Sequence, residues 1–243
     1  MNVYTETIVL RSSQCDMYGA WKPGAILECM QETAGAHSAG LGLDRETMNG
    51  LGVAWVLSRV KVHMDRVPLV GERITVETYP TPNRHLFFPR THLFRDESGA
   101  QIGCANSLWV LMEIRTRKIT QHPEVLAKVA ADSDLKCPLG LPATVRALGC
   151  EGVTVQLQPC FTDYDTNHHV NNTKYLDWCL NALGMETLET QCIADFDVNY
   201  DAEILPGGRV TTKMKQEGGV FTFTGHSGDR QHFAVRGTLC SRA

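Results

Sequence analysis

Two stretches of this chain place apolar residues at helical spacing. In GAILECMQETAGAHSAGLG (24–42) they fall at Ile26, Leu27, Met30 and Ala34, and in VNNTKYLDWCLNALGM (170–185) at Val170, Tyr175, Leu176 and Trp178. Each stretch is followed by alternating, strand-like runs broken by Pro and Gly: VHMDRVPLVGERITVET (62–78) in the first half, VNYDAEILPGGRVTTKM (198–214) in the second. Farther on, each half offers a Ser-Gly turn and a long half-apolar strand, RDESGAQIGCANSLWVLM (95–112) and GHSGDRQHFAVRGTLC (225–240). The chain therefore reads as one plan written twice, a helix and then several antiparallel strands.

The join is QHPEVLAKVAADSDLKCPLGLP (121–142), whose Pro, Gly and mixed polarity suit a crossing linker with a short helix of its own. Further helices do not alternate with the strands, so the expected class is α+β with antiparallel sheets, not a doubly wound parallel sheet. One helix wrapped by a curved antiparallel sheet, occurring twice, is a double (tandem) hotdog. The expected division is a first hotdog over 1–125, a linker over 126–148 and a second hotdog over 149–243.

Composition narrows the picture modestly. At 243 residues, 43% hydrophobic and 21% charged, the chain can bury a full core. A formal net charge of −4 argues against a general nucleic-acid or membrane-surface binder. No apolar run approaches the roughly 18 residues of a membrane-spanning helix. Nine cysteines are scattered with no CxxC pair, which fits reduced, mostly buried thiols better than disulfides or a zinc knuckle. The start, MNVYTETIVLRSS, has neither signal-peptide nor transit-peptide character, and a cytoplasmic protein is expected.

Candidate chemistry concentrates in DTNHHVNNTKY (165–175). Asp165, Asn167 and His169 alternate, so in an extended segment they share one face while Thr166 and His168 point away. The pattern then turns helical, and Asn171 or Asn172 is placed to cap the new helix. A helix amino end offers unpaired N–H groups and partial positive charge, which suit a carbonyl oxygen becoming anionic. The plainer alternatives are a hydrogen-bonded turn with no chemistry, and cap or turn duty for the two later Asn. A metal site is a third, because Asp and His are ordinary ligands, but neighbours on a strand point apart and no HxH or HxxxH pattern is present.

The run D-Y-D-T-N-H-H-V-N-N-T-K-Y-L-D-W (163–178) resembles the D-x-D-x-N-x-H-V-N-N-x-x-Y-x-x-W signature of the acyl-ACP thioesterases, which hydrolyse the thioester between a fatty acyl chain and acyl carrier protein. The likeness extends in order through QETAGAH (31–37), WVLSRVKVHMDRVPLVGERITVETY (55–79) and ANSLWVLMEIRTRKITQHPEVL (105–126), and covers most of residues 5 to 210. That family is a double hotdog, in agreement with the repeat. Members occur in plants with transit peptides and in bacteria without them, so the resemblance implies a bacterial, cytoplasmic enzyme of fatty-acid synthesis.

Residue by residue, the family's Asp, Asn and His fall on Asp165, Asn167 and His169, and the acid of its Y-x-x-E falls on Glu203. These four are the expected catalytic residues, with no metal and no cofactor. Plant members carry Cys directly after that acid, whereas Ile204 stands here, so attack by water is expected in place of a cysteine nucleophile. Which of Glu203, His169 or Asp165 is the general base stays open. In the first half, Asp16, Tyr18 and Ala20 lie opposite the triad and 65–67 offers no acid opposite Glu203, so one working site per chain is expected.

The first half would supply the acyl pocket, with the tail near Ile26, Met30 and Trp55. The implied partner is acyl carrier protein, with no nucleic acid or membrane, and a homodimer stays open. That carrier is acidic, so Arg59, Lys61, Arg66, Arg84, Arg90, Arg115, Arg117 and Lys118 are candidate docking residues.

Overall fold

A computed structural model describes residues 3–129, 131–132 and 134–242, so positions 130 and 133 of the expected linker lie outside the described residues. The chain divides into two compact units, Met1–Pro142 and Ala143–Ala243.

In the first unit, β1 (Tyr4–Val9) is followed by α1 (Pro23–Gly40), α2 (Arg45–Gly50), β2 (Val53–Met64), β3 (Arg73–Pro80), β4 (Phe88–Arg95), β5 (Gln101–Glu113) and α3 (Pro123–Lys128). Its strands lie in the order β1-β3-β4-β5-β2, with every neighbouring pair antiparallel. The second unit runs β6 (Val153–Leu157), α4 (Lys174–Thr190), β7 (Gln191–Tyr200), β8 (Val210–Glu217), β9 (Val220–Ser227) and β10 (Arg230–Ser241). Its order is β6-β8-β9-β10-β7, again antiparallel throughout. Matching β1 to β6, α1 to α4 and each later strand to its counterpart gives the same topology twice. The repeat expected from sequence is a double hotdog.

Helix α1 starts with Pro23 at its first position, where a missing N–H costs nothing. Its buried set includes Ile26, Leu27, Met30, Thr33, Ala34 and His37, a stripe at helical spacing that meets β1 and β3. The short helix expected in the join is α3. Helix α4 is expected to end near 185, and Gly184 there leaves helical geometry at φ 79°, ψ 165°, so 185–190 form a separate segment after a break. Under α4 lies an aromatic cluster. Tyr175 stacks on Phe233 at 4.2 Å and 13°, with Trp178 and Tyr200 5.5 and 6.0 Å from the Tyr175 ring. Gly225 pairs with Phe233 across β9 and β10, and the Phe233 ring occupies the space that a Cβ at 225 would need.

Several expectations need correcting. Only four of the nine thiols, Cys15, Cys29, Cys104 and Cys179, are buried, because positions such as Cys150, Cys160 and Cys240 fall on exposed segments. Arg90 is no docking residue. It is 9% exposed on β4, and its Nη1 reaches His37 Nδ1 at 3.0 Å and Thr78 Oγ1 at 3.2 Å. Burial pushes its pKa down to about 10. Among the other candidates, Arg66 is exposed and forms a two-pronged pair with Glu72, at 2.8 Å for each prong. Of the three expected tail contacts, Ile26 is sealed in the core and Trp55 packs edge-on against Phe88 at 5.0 Å. Met30 lines a small cavity with Leu27, Gln31, Leu57, Val60 and His92.

Gly225→Ala should therefore destabilise the protein by about 1–3 kcal/mol, because the added methyl meets a packed ring. Gly35→Ala, at an exposed mid-helix position with nothing within 4 Å of the new methyl, should stabilise it by about 0.5–1 kcal/mol. Urea midpoints read both, and equal midpoints for the two variants would contradict this packing account.

Candidate functional site

Residues 165–169 are not a strand. After a single turn of 3-10 helix at Phe161–Asp163, Tyr164 and Val170 form an isolated antiparallel bridge that pinches the intervening residues into a tight turn. The Asp165 carboxylate holds that turn: its Oδ1 accepts the Asn167 backbone N–H at 2.7 Å. The Asp165 and His168 backbone N–H groups donate to the His169 and Asp165 carbonyls, each at 3.0 Å. An Asp that accepts the N–H two residues on is the ordinary Asx turn. The alternation of polar residues therefore selects three residues that share a small volume, but the turn and not a pleat brings them together.

The first unit contains the same device without the chemistry. Asp16 Oδ1 accepts the N–H groups of Tyr18 and Ala20, both at 3.0 Å, and Cys15 and Trp21 form the matching bridge. Its left-handed residue is Gly19, at φ 82°, whereas the second unit puts His168 there at φ 62°. The His168 side chain is exposed.

Helix α4 begins four residues after Val170 of the bridge. Its N-cap residue is Thr173, not Asn171 or Asn172 as expected. Asn171 works one step earlier: its Oδ1 accepts the Thr173 N–H at 3.0 Å and the Thr173 hydroxyl at 2.9 Å.

Glu203 arrives from a separate segment, just after β7. The Val170 N–H donates to the Ile204 carbonyl at 2.9 Å, and both residues are 1% exposed. Because Val170 follows His169 and Ile204 follows Glu203, this bond sets the two functional side chains beside each other. His169 Nε2 lies 4.0 Å from Glu203 Oε1, and Nδ1 lies 3.8 Å from Asp165 Oδ2 and 3.3 Å from the Val170 carbonyl. A carbonyl only accepts, so Nδ1 carries a proton there, and Nε2 is the ring nitrogen that faces Glu203.

Asp165 and His169 are about one-fifth exposed (19% and 21%), and Glu203 is 36% exposed. Asn167 is exposed, with its Nδ2 3.4 Å from Asp165 Oδ2. All four expected site residues thus gather at one end of the second unit. The arrangement carries a histidine between two carboxylates with an amide at its edge, which suits proton transfer next to a polarised carbonyl.

Two groups behind the site were missed by sequence reasoning. The Tyr175 hydroxyl is pushed up by burial first and then by the charges of Glu203 and Asp165. Tyr200, three residues before Glu203, is half-buried, and its buried hydroxyl has no hydrogen-bond partner among the described residues. Helical periodicity marks Tyr175 as a core residue, and nothing local in the sequence shows that two acids approach it.

The family description "Acyl-ACP thioesterase N-terminal domain" matches residues 1–129, and "Acyl-ACP thioesterase C-terminal domain" matches 150–234. A chloroplastic acyl-[acyl-carrier-protein] hydrolase of Cuphea viscosissima is 26% identical over 219 residues, covering 83% of this chain and 52% of that protein. The chain therefore spans about half the length of such a plant relative. An acyl-ACP thioesterase structure from Bacteroides thetaiotaomicron superposes with a TM-score of 0.90 at 24% identity, covering 98% of both chains. The 12:0-ACP thioesterase of Umbellularia californica gives a TM-score of 0.88 at 23% identity, covering 100% of this chain and 98% of that one. These two likenesses carry the fold.

The left-handed position at 168 makes its own prediction. His168→Gly should leave stability within about 0.5 kcal/mol, because relief of the positive φ offsets the added freedom of the unfolded chain. His168→Val should cost about 1–2 kcal/mol, because a β-branched side chain is strained there. Equal melting temperatures for the two variants would remove the turn geometry from the account.

Proposed function

The chain belongs to the acyl-ACP thioesterase family, and from that premise we propose that it hydrolyses fatty acyl thioesters of acyl carrier protein at the 165–169 turn and Glu203. One observation carries the reading: His169 stands between Asp165 and Glu203, at 3.8 and 4.0 Å, beside the exposed amide of Asn167.

Water attacks the thioester carbonyl. Its proton passes to the Glu203–His169 pair, where a carboxylate and an imidazole nitrogen face each other. Asn167 donates its side-chain N–H to the oxyanion, and losing one such donor typically costs about 3–4 kcal/mol of transition-state stabilisation. Asp165 keeps the turn closed and faces the Nδ1–H of His169, which holds the ring in the tautomer that leaves Nε2 free to accept. When the tetrahedral intermediate collapses, the C–S bond breaks and the stored proton leaves with the phosphopantetheine thiolate. The products are a fatty acid and the free carrier thiol. Ile204 is buried at 1% exposure next to Glu203, so the residue following the acid contributes packing and no nucleophile.

The direct test follows free thiol released from an acyl-ACP and from the matching acyl-CoA. The carrier-protein substrate should be hydrolysed with the higher kcat/KM, and Glu203→Gln should lower turnover by about 10²-fold or more. Faster hydrolysis of the CoA thioester would make this a CoA thioesterase. Binding without thiol release would make it an acyl-binding module. A Glu203→Gln variant with wild-type rate would remove the acid from the mechanism.

A further inference from the structure

Glu203 stands in the loop 201–209 between β7 and β8, and strand β10 reaches back to grip that loop at His232. The His232 carbonyl accepts the backbone N–H groups of Asp201 and Ala202, at 2.8 and 3.1 Å. Its side chain, 5% exposed, makes two more contacts: Nδ1 lies 3.2 Å from the Ala202 carbonyl and Nε2 lies 2.8 Å from Ser227 Oγ. Ser227 Oγ also lies 2.6 Å from the Arg209 carbonyl. The ring therefore ties the beginning of the Glu203 loop to Ser227, the last residue of β9. Burial lowers the pKa of His232. In the neutral ring the single proton belongs on Nδ1, which faces a carbonyl, and Nε2 then accepts the Ser227 hydroxyl.

The first unit shows what this position needs when no acid is present. There the N–H groups of Asp65 and Arg66 donate to the Ile102 carbonyl, at 2.9 and 3.3 Å, and the Trp21 N–H donates to the Pro68 carbonyl at 3.0 Å. These bonds match those of Asp201, Ala202 and Val170 one for one. In that register Ile102 replaces His232 and Val67 replaces Glu203. The backbone clamp thus forms around an isoleucine, and the imidazole accompanies the acid.

We propose that His232 is a positioning residue for Glu203: its ring fixes the Ala202 peptide and so the reach of the neighbouring carboxylate toward His169. The inference rests on the hydrolase reading of the site. A carboxylate held about 1 Å off its working position can cost on the order of 10²-fold in rate, so the effect belongs in kcat.

Four variants test it, with kcat and KM measured on acyl-ACP and melting temperatures alongside. His232→Ile, the residue that the first unit uses, should lower kcat about tenfold or more with KM within about twofold. His232→Asn keeps a donor within reach of the Ala202 carbonyl and should recover most of the loss. His232→Gln places its amide toward Ser227 and should not recover it. On a Glu203→Gln background, His232→Ile should add less than about twofold, because the group it positions is gone.

Full kcat in His232→Ile, an equal loss on the Glu203→Gln background, or equal rates for the Asn and Gln variants would each overturn the proposal and leave the hydrolase reading standing. The Asn and Gln comparison decides the matter if His232→Ile does not fold. A wild-type rate in Glu203→Gln would remove the acid from the mechanism and this proposal with it, whereas no thiol release by the unaltered protein would overturn the hydrolase reading itself.

Discussion

One buried backbone hydrogen bond, from the Val170 N–H to the Ile204 carbonyl at 2.9 Å, sets the geometry on which this site depends. Both ends are sealed from water at 1% exposure, where an unmade bond would cost about 1–3 kcal/mol, so the two segments are not free to drift apart. On one side the bond fixes the end of the turn that carries Asp165, Asn167 and His169. On the other it fixes the loop that carries Glu203.

Duplication explains why so much of this frame exists before any chemistry is added. Asp16 builds the same turn as Asp165, and Pro68 accepts the same backbone bond as Ile204. The first unit spends the positions on Tyr18, Ala20 and Val67, none of which can move a proton as needed here. In the second, the equivalents are Asn167, His169 and Glu203, with His232 where Ile102 sits. Function in this chain is a small set of side-chain choices on a scaffold that both units share.

Much of the fold is legible in the sequence because its signals are local. Helical spacing at Ile26, Leu27, Met30 and Ala34 marks α1, and Pro with Gly between alternating runs separates the strands. The candidate site is legible in part. Asp165, Asn167 and His169 stand out as polar residues ahead of a helix, yet the reason for their convergence is an Asx turn and not strand alternation. Glu203 has no pattern of its own and is found only through its resemblance to a family motif. Arg90 reads as a surface charge because its partner His37 lies 53 residues away in the chain. Tyr175 and His232 escape for the same reason, since what surrounds them is decided by strand pairing and packing over long separations.

The account stands on a bound acyl group meeting these four side chains. The most direct measurement is a structure with a non-hydrolysable acyl-phosphopantetheine analogue, in which an amide replaces the scissile thioester. The account predicts the position of the carbonyl oxygen about 3 Å from the Asn167 side-chain amide, with Glu203 and His169 on the face that water would approach. An analogue seated with its reacting carbon more than about 10 Å from Glu203 and His169 would contradict it, because no proton could then pass between them in the reaction.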